Sequence, residues 1–417
     1  MAKVIAANIP SFFFCVPPLV SFLCVSLTSS MRILIASHTY IVDINREKLR
    51  ALVNLHPEIE VTIVVPRYWY PGGVQKGLFI TQPVNEGRFR VMPINNFSRN
   101  NQGLLTFGAE IIPLLWQFRP QIIQVEQGAK SLAYAQLITL NYLLGLRAKN
   151  LFFTWWNLPY ELKFPVSLLE KYNLHNSHGI IVGNRDGAKL LRQKKYRGKL
   201  KVMPQLGVDE ILFSKKSQPY LAEKLGIKRH DFVVGFVGRF VEEKGLITLL
   251  QSLAQLQDFY WKLLLVGRGE LESLLLNIAA QWGIENRVII VDSVPHDQVV
   301  KYINLMQVLV LPSQTNLEFK TMTASGWQEQ FGHVLIEAMA CKVPVIGSDC
   351  GEIPYVIGNA GLTFHQGDVQ ELRDRLLSVI SQPLFATRLG HMGYDRAMEH
   401  YTNKALAQQM WEFYQEL

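Results

Sequence analysis

Apolar residues in this chain gather into short continuous runs, separated by longer stretches where apolar and polar positions alternate with a helical period. The first half carries runs at Arg32–Ala36, Val61–Val65, Ile122–Val125, Leu151–Trp155, Gly179–Val182 and Lys201–Pro204. The second half carries them at Val233–Val237, Lys262–Val266, Arg287–Val291, Val308–Leu311 and Val343–Ile346. Unbroken β-branched runs between helix-like stretches are strands covered on both faces, so parallel sheets under helices are expected. Two sets of about six strands predict an α/β protein with two doubly wound, Rossmann-like domains. The expected units are 31–205 and 230–395, joined by 206–229, where QLGVDEILFSKKSQPY reads as a linker. A last segment, 396–417, ends in an amphipathic stretch whose Trp411, Phe413 and Tyr414 need a surface to cover them.

The length of 417 residues supports this division, because one core seldom organises so long a chain. With 49% apolar and 18% charged residues, the composition is globular rather than disordered. A net charge of +8 suits phosphate-bearing ligands or an anionic membrane, and no RNA-reading or zinc-finger pattern points to nucleic acid. Cys15, Cys24, Cys341 and Cys350 form no C-x-x-C pair, so neither a disulfide framework nor a zinc site is expected, and a reducing cytoplasm is the simplest setting. Residues 1–30 stand apart. Ser11–Leu27 is almost wholly apolar but is interrupted by Pro17-Pro18 and is short for a span. It reads as an anchor, a cleaved signal, or a product of start-codon choice ahead of Met31.

Candidate chemistry concentrates in the second half. After the strand ending at Val237, Gly238-Arg239 forms a turn and Lys244-Gly245 opens a helix. Both cations can then reach the crevice at the carboxyl ends of the strands, Arg as a planar fork and Lys as a point charge for phosphate; as solvated charges beside Glu242 and Glu243 they would do neither. Gly267-x-Gly269 follows the next strand but lacks the third glycine and the acidic residue of a dinucleotide fingerprint, so it reads as a plain strand-to-helix turn near a nucleotide. Pro312-Ser313 leads through a polar insertion, Gln314–Gln328, to Glu329, Phe331-Gly332 and Glu337 on a small apolar helix. Two carboxylates flanking a helix N-terminus suit the hydroxyls of a sugar beside an anion. Glu337, set among Leu335, Ile336, Ala338 and Met339, would be costly to bury without a partner.

In these motifs, the second half resembles the family-4 retaining glycosyltransferases of the GT-B architecture, the group 1 type. The matching residues are Gly238-Arg239, Glu243-Lys244-Gly245, Gly267-x-Gly269, Pro312-Ser313 and Glu329 through Ala340 with its E-x7-E spacing. The resemblance implies that Arg239 and Lys244 bind the donor diphosphate, Glu329 the donor sugar and Glu337 the ribose. It places backbone N–H groups of Gln330, Phe331, Gly332, His333 and Val334 near sugar and phosphates. It further implies no metal ion and no cofactor beyond the nucleotide-sugar substrate, an acceptor that is a glycan or lipid-linked, and a final helix that crosses back to the first domain.

The first domain matches this pattern less closely. Its first loop reads SHTYIVDINREKL with His38 but no Gly-Gly pair, and Gly72-Gly73 reads as an ordinary turn. The loop after the fourth strand offers Trp155, Trp156 and Asn157, which stack on an acceptor or fill the core near the cleft. The run Arg192–Lys201 holds six cations and no acid; it reads as a solvated helix end or as a contact with an anionic membrane surface at the cytoplasmic face. Rival readings are a nucleotide-sugar epimerase of the same architecture and a non-catalytic subunit of a polysaccharide assembly complex.

Overall fold

The computed structural model describes residues 30–70, 77–320 and 325–417. The apolar leader, with Cys15 and Cys24, and the Gly72-Gly73 turn lie outside the described residues. The first domain is built on an eight-stranded sheet. Its spatial order is Lys199–Val202, Gly179–Val182, Lys149–Thr154, Ile122–Val125, Met31–Ala36, Ile59–Pro66, Phe89–Ile94 and Val84–Glu86. All neighbours are parallel except the last pair. The second domain carries six parallel strands in the order Val288–Val291, Trp261–Val266, Phe232–Val237, Val308–Leu311, Val345–Ser348, Leu362–Phe364.

In both sheets the first strand of the domain sits in the middle and the chain reverses its direction of travel there. Open α/β sheets bind ligands at the carboxyl ends of the two strands beside such a reversal. In the second domain these strands are Phe232–Val237 and Val308–Leu311, which lead into Gly238-Arg239 and Pro312-Ser313.

Three strands of the two main sheets were illegible as apolar runs. Val84–Glu86 is mostly polar, Phe89–Ile94 is broken by Arg90 and Pro93, and Leu362–Phe364 has only three residues. The polar insertion is also structured: Asn316–Lys320 pairs antiparallel with Ser325–Trp327.

Each domain has its own buried core, and Trp155 packs against both. The chain crosses between domains twice at one place. Val208 N–H donates to Tyr401 O (2.8 Å), and Asn403 N–H donates to Val208 O (3.1 Å). Thr402 then caps the last helix, Asn403–Gln415, by accepting from Ala405 N–H. That helix covers the first domain: Trp411 lies 4.8 Å from the His56 ring, and Tyr414 Oη donates to Gln124 (2.8 Å). Cys341 and Cys350 are buried free thiols. Among the described residues, no helix is long and apolar enough to cross a membrane.

Candidate functional site

Gly245 fixes where Lys244 stands. Its φ of +66° is the left-handed region, and a Cβ there would meet Pro312 O at 1.9 Å. Only glycine lets this turn lie against the end of the neighbouring strand. Gln314 N–H donates to Glu243 O (2.8 Å) and ties the two loops together. Lys244 Nζ is thereby held 2.6 Å from Glu329 Oε2, and Ser313 Oγ donates to the same oxygen at 2.8 Å. Lys244 also lies 4.7 Å from the centre of the Trp327 ring. The pair is largely buried, so each charge needs the other. Arg239 differs: its side chain is 66% exposed and sits 3.5 Å from the buried Glu243, free to swing toward an anion.

Gly238 and Gly267 extend their strands. Gly238 N–H donates to Val266 O (3.0 Å) and Gly267 N–H to Val291 O (2.9 Å), so the two turns stack edge to edge. The backbone of Glu329 is fixed from the other side: its N–H donates to Cys350 Sγ (3.5 Å), and its carbonyl accepts from Glu352 N–H (3.2 Å). Gln330 and Phe331 lead into the helix His333–Ala340, with Gly332 as its left-handed cap at φ +82°. Phe331 is buried against Trp155 and Tyr401. Val334 follows His333 in the first turn.

His333 and Glu337 share one face of that helix, four residues apart. Burial pushes the His333 imidazole below its usual range, although Glu337 and Glu329 oppose the shift. Among the described residues, its Nε2 has no hydrogen-bond partner. Glu337 Oε1 is engaged by His296 Nε2 at 2.8 Å, and that bond raises the His296 pKa against the opposing effect of burial. His296 opens the helix after Pro295, 41 residues from Glu337, and nothing local in VPHDQVV marks it.

The first domain reaches this site through the loop after Lys149–Thr154. Asn157 Nδ2 donates to Glu329 O (3.3 Å) and Gln328 O (3.5 Å). Trp155 lies 6.0 Å from Phe331 and 6.2 Å from His333, with its Nε1 donating to Gln205 (3.1 Å). Trp155 is therefore interdomain core. Trp156 turns elsewhere, into a cluster with Tyr160 and Lys130. His38, two residues past the end of the strand Met31–Ala36, packs 5.0 Å from the Trp69 ring, and burial lowers its pKa to about 4. In the basic run, Lys194 pairs with Glu170 (3.0 Å), and Arg192 donates to Tyr196 O and Gly198 O. Among the described residues, no cluster of three or more His, Cys, Asp or Glu could hold a metal ion.

These features define a two-domain GT-B protein with a polar cleft centred on the second domain. Residues 217–396 match the family model of the glycosyl transferases group 1. The chain is 26% identical over 210 residues to the N-acetyl-alpha-D-glucosaminyl L-malate synthase of Bacillus anthracis, covering 50% of this chain and 51% of the relative. It is 30% identical over 186 residues to the capsular polysaccharide biosynthesis glycosyltransferase CapM of Staphylococcus aureus, covering 44% of each. The matched region thus spans about half the length of these curated relatives. In fold, the chain is similar to Anabaena Alr3699/HepE in complex with UDP, with a TM-score of 0.69 at 18% identity, covering 93% of this chain and 100% of the other. Sucrose-phosphate synthase from Thermosynechococcus elongatus gives a TM-score of 0.67 at 19% identity, covering 93% and 98%.

Proposed function

We propose that this protein transfers a sugar from a nucleotide-sugar donor to a glycan or lipid-linked acceptor, with retention, in cell-surface polysaccharide or glycolipid biosynthesis. The observation that carries the reading is the convergence of Lys244 and Ser313 on Glu329 at the reversal point of the second sheet. In this reading the donor's diphosphate draws Lys244 away from Glu329, and Arg239 swings in beside it. Glu329 is then left to accept from the sugar hydroxyls. Two cations and the N-terminal end of His333–Ala340 stabilise the charge that gathers on the departing diphosphate, without a metal ion. Glu337, held by His296, receives the ribose. The acceptor hydroxyl attacks on the face the diphosphate leaves, and its proton passes to the leaving phosphate oxygen. Closure of the first domain through Asn157 and Trp155 excludes water from the cleft. Anabaena HepE is solved in complex with UDP, which supports a nucleotide-bearing donor, and the likeness to the capsular polysaccharide biosynthesis glycosyltransferase CapM favours transfer over an epimerase or a non-catalytic subunit. A cytoplasmic setting, with the Arg192–Lys201 run at the inner face of a membrane, belongs to the same proposal.

The test is a panel of nucleotide sugars screened for protection against thermal unfolding. The protecting donor is then followed by NMR in the presence of glycan acceptors. Release of free nucleoside diphosphate with an unchanged anomeric configuration is expected. Conversion of the nucleotide sugar to an isomer without diphosphate release would replace transfer by epimerisation.

A further inference from the structure

One surface of the first domain has no role in the site described above. The helices Ile111–Phe118 and Leu132–Leu143 contain no charged residue, yet both lie at the surface. Their outward positions are large and apolar: Trp116 is 57% exposed, Leu143 69% and Tyr142 84%, with Phe97 beside them at 68%. A groove of about 470 Å³ runs between the two helices and is floored by Ile112, Leu132 and Leu140. A third helix, Val166–His175, continues the surface, joined through Thr139 Oγ1 and Tyr172 Oη at 3.0 Å. It exposes Leu168, and its one acid, Glu170, is buried against Lys194. A second groove, about 310 Å³, then joins Leu174 and His175 to Lys195 and Arg197.

Charge decides what such a face fits. Between Phe97 and Lys201 the sequence holds 15 Lys and Arg against 5 Asp and Glu, a balance of +10 in a chain whose total is +8. The excess positive charge of the whole protein therefore lies in the segment that carries the exposed apolar helices. Arg119 sits 5.5 Å over the Trp116 ring at one margin, and neither Lys195 nor Arg197 has an acidic partner within 4.0 Å among the described residues. A second copy of this chain would bring like charge to like charge. The apolar leader could cover the apolar positions but offers no anions to the cations. An anionic lipid surface answers both halves, taking aromatic and aliphatic side chains into its interfacial layer while the cations meet head groups.

We propose that this three-helix face docks on an anionic bilayer, with Trp116, Tyr142 and Leu143 entering the interface and Lys195 and Arg197 on the head groups. The inference extends the peripheral setting proposed above by naming the inserting face. It is independent of the glycosyl-transfer reading. Geometry links it to the cleft: Lys194 lies 3.9 Å and Lys130 4.2 Å from the Tyr160 ring, and the same loop carries Asn157 to Glu329.

The test is co-sedimentation of the full chain with vesicles of phosphatidylcholine alone or mixed with phosphatidylglycerol. Wild type is expected to bind only the anionic vesicles. Ile112→Ser with Trp116→Ser and Leu143→Ser should weaken that binding by about tenfold or more. Thermal protection by the donor nucleotide should stay unchanged. If the triple variant does not fold, Trp116→Gln alone should still give a measurable loss. A triple variant that binds as wild type does, while Lys195→Gln with Arg197→Gln does not, would overturn the inserting face and leave the basic run as the contact. Wild type that ignores vesicles but forms dimers abolished by the triple variant would make the face a self-association surface. In either case, intact donor protection would leave the proposed function standing.

Discussion

Glu329 is held by four separate parts of the chain: Lys244 and Ser313 on its carboxylate, Cys350 on its N–H, and Asn157 on its carbonyl. The first two belong to motifs whose spacing shows in the sequence, because a turn and a strand end are local events. The last two were not legible as Glu329 partners, since their meaning exists only as contact across the fold. His296 is the clearest such case: an unremarkable histidine at the start of a helix becomes the partner of Glu337. The Lys244 turn depends on one residue with no side chain. Gly245→Ala would put a methyl group 1.9 Å from Pro312 O in a left-handed turn. We expect it to cost about 3 kcal/mol in urea denaturation and to displace Lys244, lowering activity beyond what stability explains. A variant with wild-type stability would show that the turn opens freely.

The last helix shows how an element is assigned by what it must cover. Trp411, Phe413 and Tyr414 lie on one face of Asn403–Gln415, and a helix so patterned cannot remain in water. The surface it meets belongs to the first domain, where Gly179 leaves room for Phe413: a Cβ there would stand 3.0 Å from the ring. Phe413→Ala should destabilise the chain by about 3–5 kcal/mol, read as a lower urea midpoint. A loss under about 1 kcal/mol would mean that the helix packs loosely. Strand existence was legible where β-branched runs were unbroken, as at Val61–Val65 and Ile180–Val182. It was not legible at Phe89–Ile94, where Pro93 reads as a breaker although it lies near the sheet margin, beside the antiparallel strand Val84–Glu86. The hairpin Asn316–Lys320 with Ser325–Trp327 was hidden by its polar composition.

Taken whole, the molecule is two sheets whose loops meet over one cleft, with both chain crossings side by side at Val208 and Tyr401–Asn403. Contacts between the domains combine the packing of Trp155 on Phe331 with polar bonds such as that of Glu352, which accepts from Arg185 N–H at 2.8 Å. Burial raises the Glu352 pKa to about 7, while its contact with Arg185 opposes the shift. The folded protein therefore holds a proton there that the unfolded chain releases in the ordinary carboxylate range. Stability from this group is fully present at lower pH and falls as pH rises from the ordinary carboxylate range to about 7. Glu352→Gln should flatten the melting-temperature profile across that window, and a profile unchanged from wild type would remove Glu352 from the domain contact.

The central claim is that the Lys244–Glu329 pair is the donor-handling centre of a glycosyltransferase. The most direct measurement is the steady-state transfer rate of Glu329→Gln and Lys244→Ala, with a donor identified by thermal protection. Both variants should keep the wild-type fold and lose about 10²-fold or more in turnover. Wild-type-like turnover in both would contradict the account.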